Sequence, residues 1–519
     1  MNRGGGSRQR KTGAAVAVEV ELKLRFPPSR LRAVLASPLL SGARRATGRR
    51  LAATYYDTPA LDLWQRRIAL RVRREGRRWV QTVKGGGSAA SGVHRRLEID
   101  TPLADPRPDL SGLPRHAVTR ILRSSKVVSA LEPVFHTSIN RSLRLLQPAP
   151  EVLIEAAIDR GTVRGGGRRE AVCEIELELK KGPVTALFDL ARRLAEQVPL
   201  ALEHRSKAQR GYALFRGSDP PPVKAVVPVL DHSLSAGAAF GLIAGHALAQ
   251  VQANEQGVIH GDDPEYLHQM RVGIRRLRSA FRLFRGLLGD RAAAQENALR
   301  AVAAGLAPAR DWDVLVTETL PALVPVRVPH DAAAALIAAC ERQRQLARKL
   351  AKKSIKTITY NNTMMDLGAF LAAAGEDAGP PALQQPARAC ATQILAAWHA
   401  RVLRRGRRLE RRSSDELHRL RIAVKQLRYA VEFFSGLYAP RRMAALRNRL
   451  MRLQDILGRI NDAAGVAALV GSAAAGDGRD VQAAADMIID CCEARAAAER
   501  ALLKPAWRRF RAASQPWRE

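Results

Sequence analysis

The chain has 519 residues, too long for one ordinary domain and suited to two or three. It carries 85 Lys and Arg against 49 Asp and Glu, a formal charge of +36, with a pI near 11.2. That balance excludes an ordinary near-neutral surface and points to a polyanionic partner: nucleic acid, inorganic polyphosphate or an anionic membrane. A hydrophobic fraction of 46% excludes wholesale disorder, and only 5% aromatics argues against readout that stacks bases on rings.

Residues 1–14 read as a basic, Gly-rich flexible tail with no apolar core, so they are not a secretory signal. Residues 15–217 alternate short apolar–polar segments at 16–24, 69–74, 79–84, 95–99, 152–158 and 173–180, which predict strands. Gly85-Gly86-Gly87 and Gly165-Gly166-Gly167 read as turns between them. Residues 185–197 have helical periodicity. A Pro-rich linker is expected at 218–229. From 230 to 515 the texture becomes all-α, with loops expected at 321–329 and 375–386. The apolar stretch 236–251 is only 16 residues long and reads as a buried amphipathic helix rather than a membrane span. The five cysteines (Cys173, Cys340, Cys390, Cys491, Cys492) show no metal-ligand spacing and suit a reducing cytosol.

The helical half repeats itself. His268, Arg271, Arg275 and Arg278 stand at offsets 0, 3, 7 and 10, and so do His418, Arg421, Lys425 and Arg428. Asp311 follows His268 by 43 residues, and Asp462 follows His418 by 44. On a helix these offsets return to one side, so each copy is a cationic stripe. Arg282 and Arg285 extend the first, and Asp311 and Asp462 either pair with stripe members or stand on plain helix or loop surface. Like charges at such spacings destabilise an isolated helix, which suggests a ligand that neutralises them. A dense run, Arg401, Arg404, Arg405, Arg407, Arg408, Arg411 and Arg412, should add salt-sensitive polyanion binding.

In the strand half, charges share faces. Glu19, Glu21 and Lys23 lie opposite Val18, Val20, Leu22 and Leu24; Arg71 and Arg73 share a face, as do Arg96 and Glu98, and Glu174, Glu176 and Glu178. One reading is an antiparallel strand with a wet face. The other closes the strands into a barrel with the charges inward. Its carboxylates would then offer hard oxygen ligands to Mg²⁺ or Mn²⁺, and its cations would match phosphate oxygens.

The ordered set Glu19-Val20-Glu21-Leu22-Lys23, Tyr55-Tyr56-Asp57-Thr58-Pro59, Ala69-Leu70-Arg71-Val72-Arg73, Thr82-Val83-Lys84-Gly85, Cys173-Glu174-Ile175-Glu176-Leu177-Glu178-Leu179-Lys180 and Ser206-Lys207-Ala208-Gln209-Arg210-Gly211-Tyr212 resembles the CYTH superfamily, the triphosphate tunnel metalloenzymes. The resemblance implies an eight-stranded antiparallel barrel. It implies a divalent metal, Mg²⁺ or Mn²⁺, on Glu19, Glu21, Asp159, Glu174, Glu176 and Glu178. It places substrate phosphates on Lys23, Arg71, Arg73, Lys84, Arg96, Arg141 and Lys207, with Glu19, Glu21 and Lys23 at the reacting end. A base role for Lys23 would need a lowered pKa, and its two glutamate neighbours argue the other way.

The helical half, through His268-Gln269-Met270-Arg271 and His418-Arg419-Leu420-Arg421 with their continuations, resembles the CHAD domain, two helical bundles associated with inorganic polyphosphate. The resemblance puts polyphosphate on His268, Arg271, Arg275, Arg278, His418, Arg421, Lys425 and Arg428. The fold class expected is multidomain α+β: a barrel tunnel, then two duplicated helical bundles. The expected function is metal-dependent hydrolysis of inorganic triphosphate to diphosphate and phosphate, joined to polyphosphate binding. Alternatives are a non-catalytic polyphosphate-binding or granule-associated protein, a class IV-type adenylate cyclase and a thiamine triphosphatase. The place expected is the cytoplasm, in association with polyphosphate granules; nucleic acid is a secondary candidate partner.

Overall fold

The computed structural model describes residues 15–41, 47–90, 93–327, 329–374 and 381–518. The expected N-terminal tail, 1–14, lies outside them. The chain forms two compact units: one runs to Pro221 and takes in Met364–Ala369, and the other is Pro222–Thr363 with Phe370–Glu519.

The first unit is a closed antiparallel barrel. Its strands are β1 (Ala15–Arg25), β2 (Thr47–Asp57), β3 (Ala69–Glu75), β4 (Arg78–Ala90), β5 (Val93–Leu103), β6 (Glu132–Ala149), β7 (Val152–Gly165) and β8 (Arg168–Lys181). They run in the order β1-β5-β4-β3-β2-β6-β7-β8, and β8 returns to β1. A two-residue strand, β9 (Ala201–Leu202), adds to β1. Directly opposed residues share a face. Glu19 opposes Arg96, Lys23 opposes Glu176, and Asp159 opposes both Arg141 and Glu174. The charged faces are therefore the inside of the barrel.

The outside is apolar where it is covered. Leu22, Leu24, Ile175 and Leu177 are fully buried, and helix α1 (Thr185–Gln197) lays Leu187, Phe188, Ala191 and Leu194 over β1 and β8. Leu70, Val83 and Ile99 pack under Leu113, Val118, Leu122 and Val127.

One end of the lumen is plugged. Helix α2 (Lys207–Arg216) starts on a Ser206–Gln209 capping box and stops at Gly217 in the left-handed conformation. Its Tyr212 enters a cluster of Leu51, Ala53, Tyr55, Phe135, Ile139, Val163 and Val172. Tyr55 stacks on Phe135 at 4.3 Å, and Phe135 meets Tyr212 edge-on at 5.0 Å. The Tyr212 hydroxyl donates to buried Asp57 at 2.8 Å. Asp57 also accepts the backbone N–H groups of Thr58, Leu63 and Trp64. That motif aspartate is thus a structural tie between β2, the turn after it and α2.

Several expectations change. Strands β2 and β6 were not evident from alternation, because β2 carries Leu51, Ala53 and Tyr55 on the plug face and β6 carries Phe135 and Ile139 there. Gly85-Gly86-Gly87 is no turn: β4 runs through it, with a bulge between Gly85 and Gly87. A Cβ on Gly87 would lie 2.0 Å from the Arg95 carbonyl oxygen, so only glycine lets the strands approach there. Gly166 and Gly167, both at positive φ, do turn β7 into β8. Leu320–Arg327 is helix rather than loop, and Pro381–Gln384 is a short helix beyond the undescribed 375–380. The expected linker is not free along its length: the Asn254 side chain clasps the Val223 backbone at 2.9 Å in both directions.

The second unit is helical. Its main helices are α3 (Ala236–His260), α4 (Pro264–Leu288), α5 (Arg291–Val314), α6 (His330–Ser354), α7 (Ala387–Arg405), α8 (Ser414–Phe433), α9 (Pro440–Ala474) and α10 (Arg479–Arg511). α3 to α6 pack in sequence, and so do α7 to α10. Each set puts its stripe on the second helix and its aspartate on the third. α3 is buried on most of its surface rather than along one stripe. Asp263 caps α4, and a Ser413–Glu416 capping box starts α8.

The plug gives a test. A Cβ at Gly211 would fall 2.1 Å from the Phe135 ring, whereas one at Gly48 meets nothing within 4 Å. Gly211→Ala should cost about 1–3 kcal/mol by overpacking, while Gly48→Ala stays within about 0.5 kcal/mol. Chemical denaturation of the two variants followed by Trp fluorescence measures the difference.

Candidate functional site

The lumen is a lattice of ion pairs. At its centre the carboxylates of Asp159, Glu174 and Glu176 bring oxygens within 4.8 Å of one another. The Lys207 ammonium, from the first turn of α2, lies 2.7 Å from Asp159 and 2.9 Å from Glu176 and also contacts Glu174. Arg141 grips Asp159 through two bonds of 2.7 and 2.6 Å and reaches Glu176. Lys23 bridges Glu21, at 2.9 Å, to Glu176. Arg210 supports Glu174 from behind at 3.1 Å.

A second knot joins β1 to β3, β4 and β5. Lys84 contacts Glu19 at 2.8 Å and Glu98 at 2.6 Å, and Arg71 contacts Glu98 at 3.1 Å. Arg73 pairs with Glu75. Arg96 shares the lumen face, and no ion pair or hydrogen bond to its guanidinium is found among the described residues. Three of the six expected metal ligands thus meet directly. Glu21 joins them through Lys23, Glu19 belongs to the other knot, and Glu178 pairs with Lys180 at 2.6 Å instead.

The environment sets the charges. Burial opposes charge on Glu176, but Lys207, Lys23 and Arg141 overcome it and hold the carboxyl well below its usual range. Burial keeps Glu174 raised despite Lys207. Burial, with Glu98 beside it, pushes Glu19 up to about 7 against the pull of Lys84. Burial would neutralise Lys23, yet Glu176 and Glu21 raise it above its ordinary value. Lys23 is therefore a held cation, and the geometry gives no support to a base role for it. Burial drives His94 down to about 4, so this lumen-face imidazole is neutral.

The donor set fits a hard divalent cation. It offers carboxylate oxygens only, from three converging strand positions, with lysines rather than apolar groups around them. Those lysines and arginines have phosphate as an alternative partner.

Sequence reasoning named most of these groups and passed over others. Glu98 was seen to share a face with Arg96 and was not placed in the site. Arg210 stands in the quoted motif around Lys207, but its contact with Glu174 was unforeseen. The plug aromatics gave no chemical signal at all.

In the helical unit the two stripes meet. Arg275 and Lys425 occupy the same offset in the two repeats and lie close enough for Arg275 to depress Lys425. Arg276 of α4 pairs with Glu432 of α8 and sits 5.0 Å over Phe433. Arg428 also holds Glu432, at 3.0 Å, and donates to Gln454 at 2.8 Å. The expected aspartate contacts exist: Arg271 to Asp311 at 3.8 Å and Arg421 to Asp462 at 3.5 Å. The repeats differ at the histidine. His418 bonds Asn461 at 2.6 Å, whereas His268 is near Arg310, which together with burial lowers its pKa. Arg282 adjoins Arg401 and Arg405, so the first stripe continues into the arginine-rich end of α7.

Residues 17–212 match the model of the CYTH domain, and residues 242–471 match that of the CHAD domain. The chain is a CYTH domain followed by a CHAD domain. The inorganic triphosphatase of Haemophilus influenzae is 35% identical over 163 residues, 31% of this chain and 45% of that protein. The match therefore spans less than half of that relative's length. Among solved structures, the CHAD domain of the plant Ricinus communis is 32% identical, with 57% of this chain and 98% of that chain covered and a TM-score of 0.49. PptA from Streptomyces chartreusis is 18% identical, with 53% and 100% covered and a TM-score of 0.43. No described helix of this CYTH–CHAD chain is long and apolar enough to cross a membrane.

Lys425 provides a test of the CHAD face. Burial, then Arg275, Arg421 and Arg428, push it down to about 7, with Asp462 opposing. A charge held this way destabilises the fold. Between pH about 7 and 10.5 the unfolded chain binds the extra proton, so this group's penalty shrinks as pH rises. Lys425→Met should raise the thermal midpoint near pH 7 by several degrees and flatten that part of the pH–stability curve.

Proposed function

We propose that the CYTH domain hydrolyses inorganic triphosphate to diphosphate and phosphate with a divalent cation, Mg²⁺ or Mn²⁺, and that the CHAD domain binds inorganic polyphosphate. The observation that carries the first half is the Asp159–Glu174–Glu176 cluster facing Arg71, Arg73, Lys84 and Arg96 inside one closed barrel. The similarity to an inorganic triphosphatase supports the choice of substrate.

Asp159, Glu174 and Glu176, with Glu21 beside them, would hold the cation, which supplies Lewis-acid neutralisation of phosphate charge. The chain's own residues do the rest by exchanging partners. Arg71, Arg73, Lys84 and Arg96 bind phosphate oxygens, and Arg is suited to bidentate contact. Lys23, Lys207 and Arg141 leave the carboxylates and turn toward the anion, keeping the lumen's charge compensated. Glu19, pushed up to about 7, is a lumen carboxylate able to hold or release a proton near neutral pH. The plug closes one end, so substrate enters and leaves by the other.

For the CHAD domain, support comes from the converging stripes of α4 and α8. The protein's place would be the cytoplasm, on polyphosphate granules, where trimming short chains would use both domains.

Phosphate release from inorganic triphosphate, ATP and thiamine triphosphate, with Mg²⁺, Mn²⁺ and chelator, tests the reading. Release from inorganic triphosphate should dominate and vanish with chelator. Glu174→Gln and Glu176→Gln should each lower it by about 100-fold or more, with polyphosphate binding unchanged. Cyclic AMP formation would identify a cyclase instead. No release from any substrate would leave polyphosphate binding as the function.

The stripes predict a pH dependence. Bound polyanion favours the charged form of Lys425, so binding takes up a proton above pH about 7 and affinity falls as pH rises through that value. Lys425→Arg should remove this limb, because a guanidinium stays protonated across this range. Titration calorimetry in two buffers of different ionisation enthalpy measures the proton uptake.

A further inference from the structure

A third concentration of positive charge lies outside both stripes. A groove of about 900 Å³ runs along α6, lined by Arg344, Arg348, Lys349, Lys352, Lys353 and Lys356, with Asp262 and Glu341 as its acidic members. On a helix of 3.6 residues per turn, Arg344, Arg348, Lys349, Lys352 and Lys353 occupy one broad side, and Lys356 follows in the turn after Ser354. In a chain of charge +36, such a side would ordinarily be no more than a solvated basic face.

Two features separate the groove from that. First, its inner cations are fixed in place. Arg348 donates to the Asp262 backbone carbonyl at 2.6 Å, and Lys352 donates to the Gly261 carbonyl at 3.2 Å. Arg344 is held by the buried Asp313 carboxylate at 2.7 Å and by Glu341 at 3.0 Å. These carbonyls orient Arg348 and Lys352, whose carboxylate neighbours stand farther off, Asp313 at 3.9 Å and Asp262 at 3.7 Å, so both are ordered and only partly compensated cations. Second, the outer cations Lys349, Lys353 and Lys356 are exposed, and no ion pair to them is found among the described residues. Six cations thus face three carboxylates, the buried Asp313, Glu341 and Asp262, and Asp262 is fully exposed at the rim. No described hydrogen bond or ion pair links these groups to His268, Arg271, Arg275, Arg278 or their counterparts on α8.

We propose that this groove is a second anion site of the helical unit, taking several phosphate groups clustered in one molecule. Its row of separated ammonium groups fits a flexible phosphate chain better than a single planar carboxylate. Arg348 and Lys352 anchor the inner phosphate, and the three exposed lysines follow the chain outward.

The test uses the full chain with chelator present, so that the tunnel is inactive. Inorganic polyphosphate of defined length is titrated into the protein, into an Arg275→Glu/Arg421→Glu stripe variant and into that variant with Lys349→Glu/Lys353→Glu/Lys356→Glu added. A control adds Arg441→Glu/Arg447→Glu/Arg479→Glu instead, which makes the same charge change at exposed positions elsewhere. The stripe variant should keep a binding event that the groove substitutions abolish and the control leaves in place. The slope of log affinity against log salt for that event should reflect about three neutralised phosphates. A parallel arm replaces the chain with vesicles containing a phosphoinositide, against phosphatidylcholine alone. Groove-dependent binding to vesicles and not to the chain would assign the phosphates to a lipid headgroup. Equal losses from groove and control variants, or no residual binding in the stripe variant, overturn the site. Milder Lys→Ala versions of the three groove substitutions must give a smaller loss in the same direction, which separates binding from misfolding.

Discussion

The first unit depends on one constraint: charges fully buried inside a barrel must be paired, whereas a half-buried one such as Arg96 need not be. An unpaired carboxylate or ammonium buried there costs several kcal/mol. Asp159 and Glu174 are almost completely shielded from solvent, and Lys23 nearly so. They are tolerated because Lys207, Arg141 and Arg210 meet the carboxylates, and Glu21 and Glu176 meet Lys23. The pairing explains why acids and bases occur together on these strands. It also makes the lumen exchangeable. On the proposed reading, a divalent cation would take the place of lysines on the carboxylates while phosphate would take the place of carboxylates on the lysines.

The apolar plug is the counterpart of that lattice. Water entering from both ends would screen the pairs and weaken every electrostatic contact. Phe135, Tyr55 and Tyr212 seal one end, and Asp57 anchors Tyr212 so that α2 cannot drift. The same helix carries Lys207 and Arg210 on its first turn. Closing the barrel and placing the central lysine are therefore one structural act.

The helical unit handles charge in the opposite way. Its cations lie on helix faces, and Asp311, Asp462 and Glu432 compensate only some of them. Lys425 shows the cost: surrounded by three arginines, it is pushed far toward neutrality. A surface built with uncompensated charge is less stable than it could be and better able to bind an anion.

The sequence by itself determined a good deal. Period-two alternation marked Glu19, Glu21, Lys23, Arg71, Arg73, Glu174 and Glu176 as sharing faces, because side-chain direction in a strand is a local property. Offsets of 0, 3, 7 and 10 marked both stripes for the same reason on helices. The resemblance to known motifs supplied the closed barrel, which periodicity could not. Tertiary structure decided what depends on which strand lies beside which. It made Asp159, Glu174 and Glu176 one cluster, sent Glu19 to Lys84 and Glu98, and left Glu178 with Lys180. It turned Gly85-Gly86-Gly87 from a turn into a bulge and hid β2 and β6, whose inward faces are partly apolar because they form the plug. It also brought Arg275 and Lys425 together across 150 residues of chain. Local spacing fixes the face on which a side chain stands; only strand register and helix packing fix the charge it meets there.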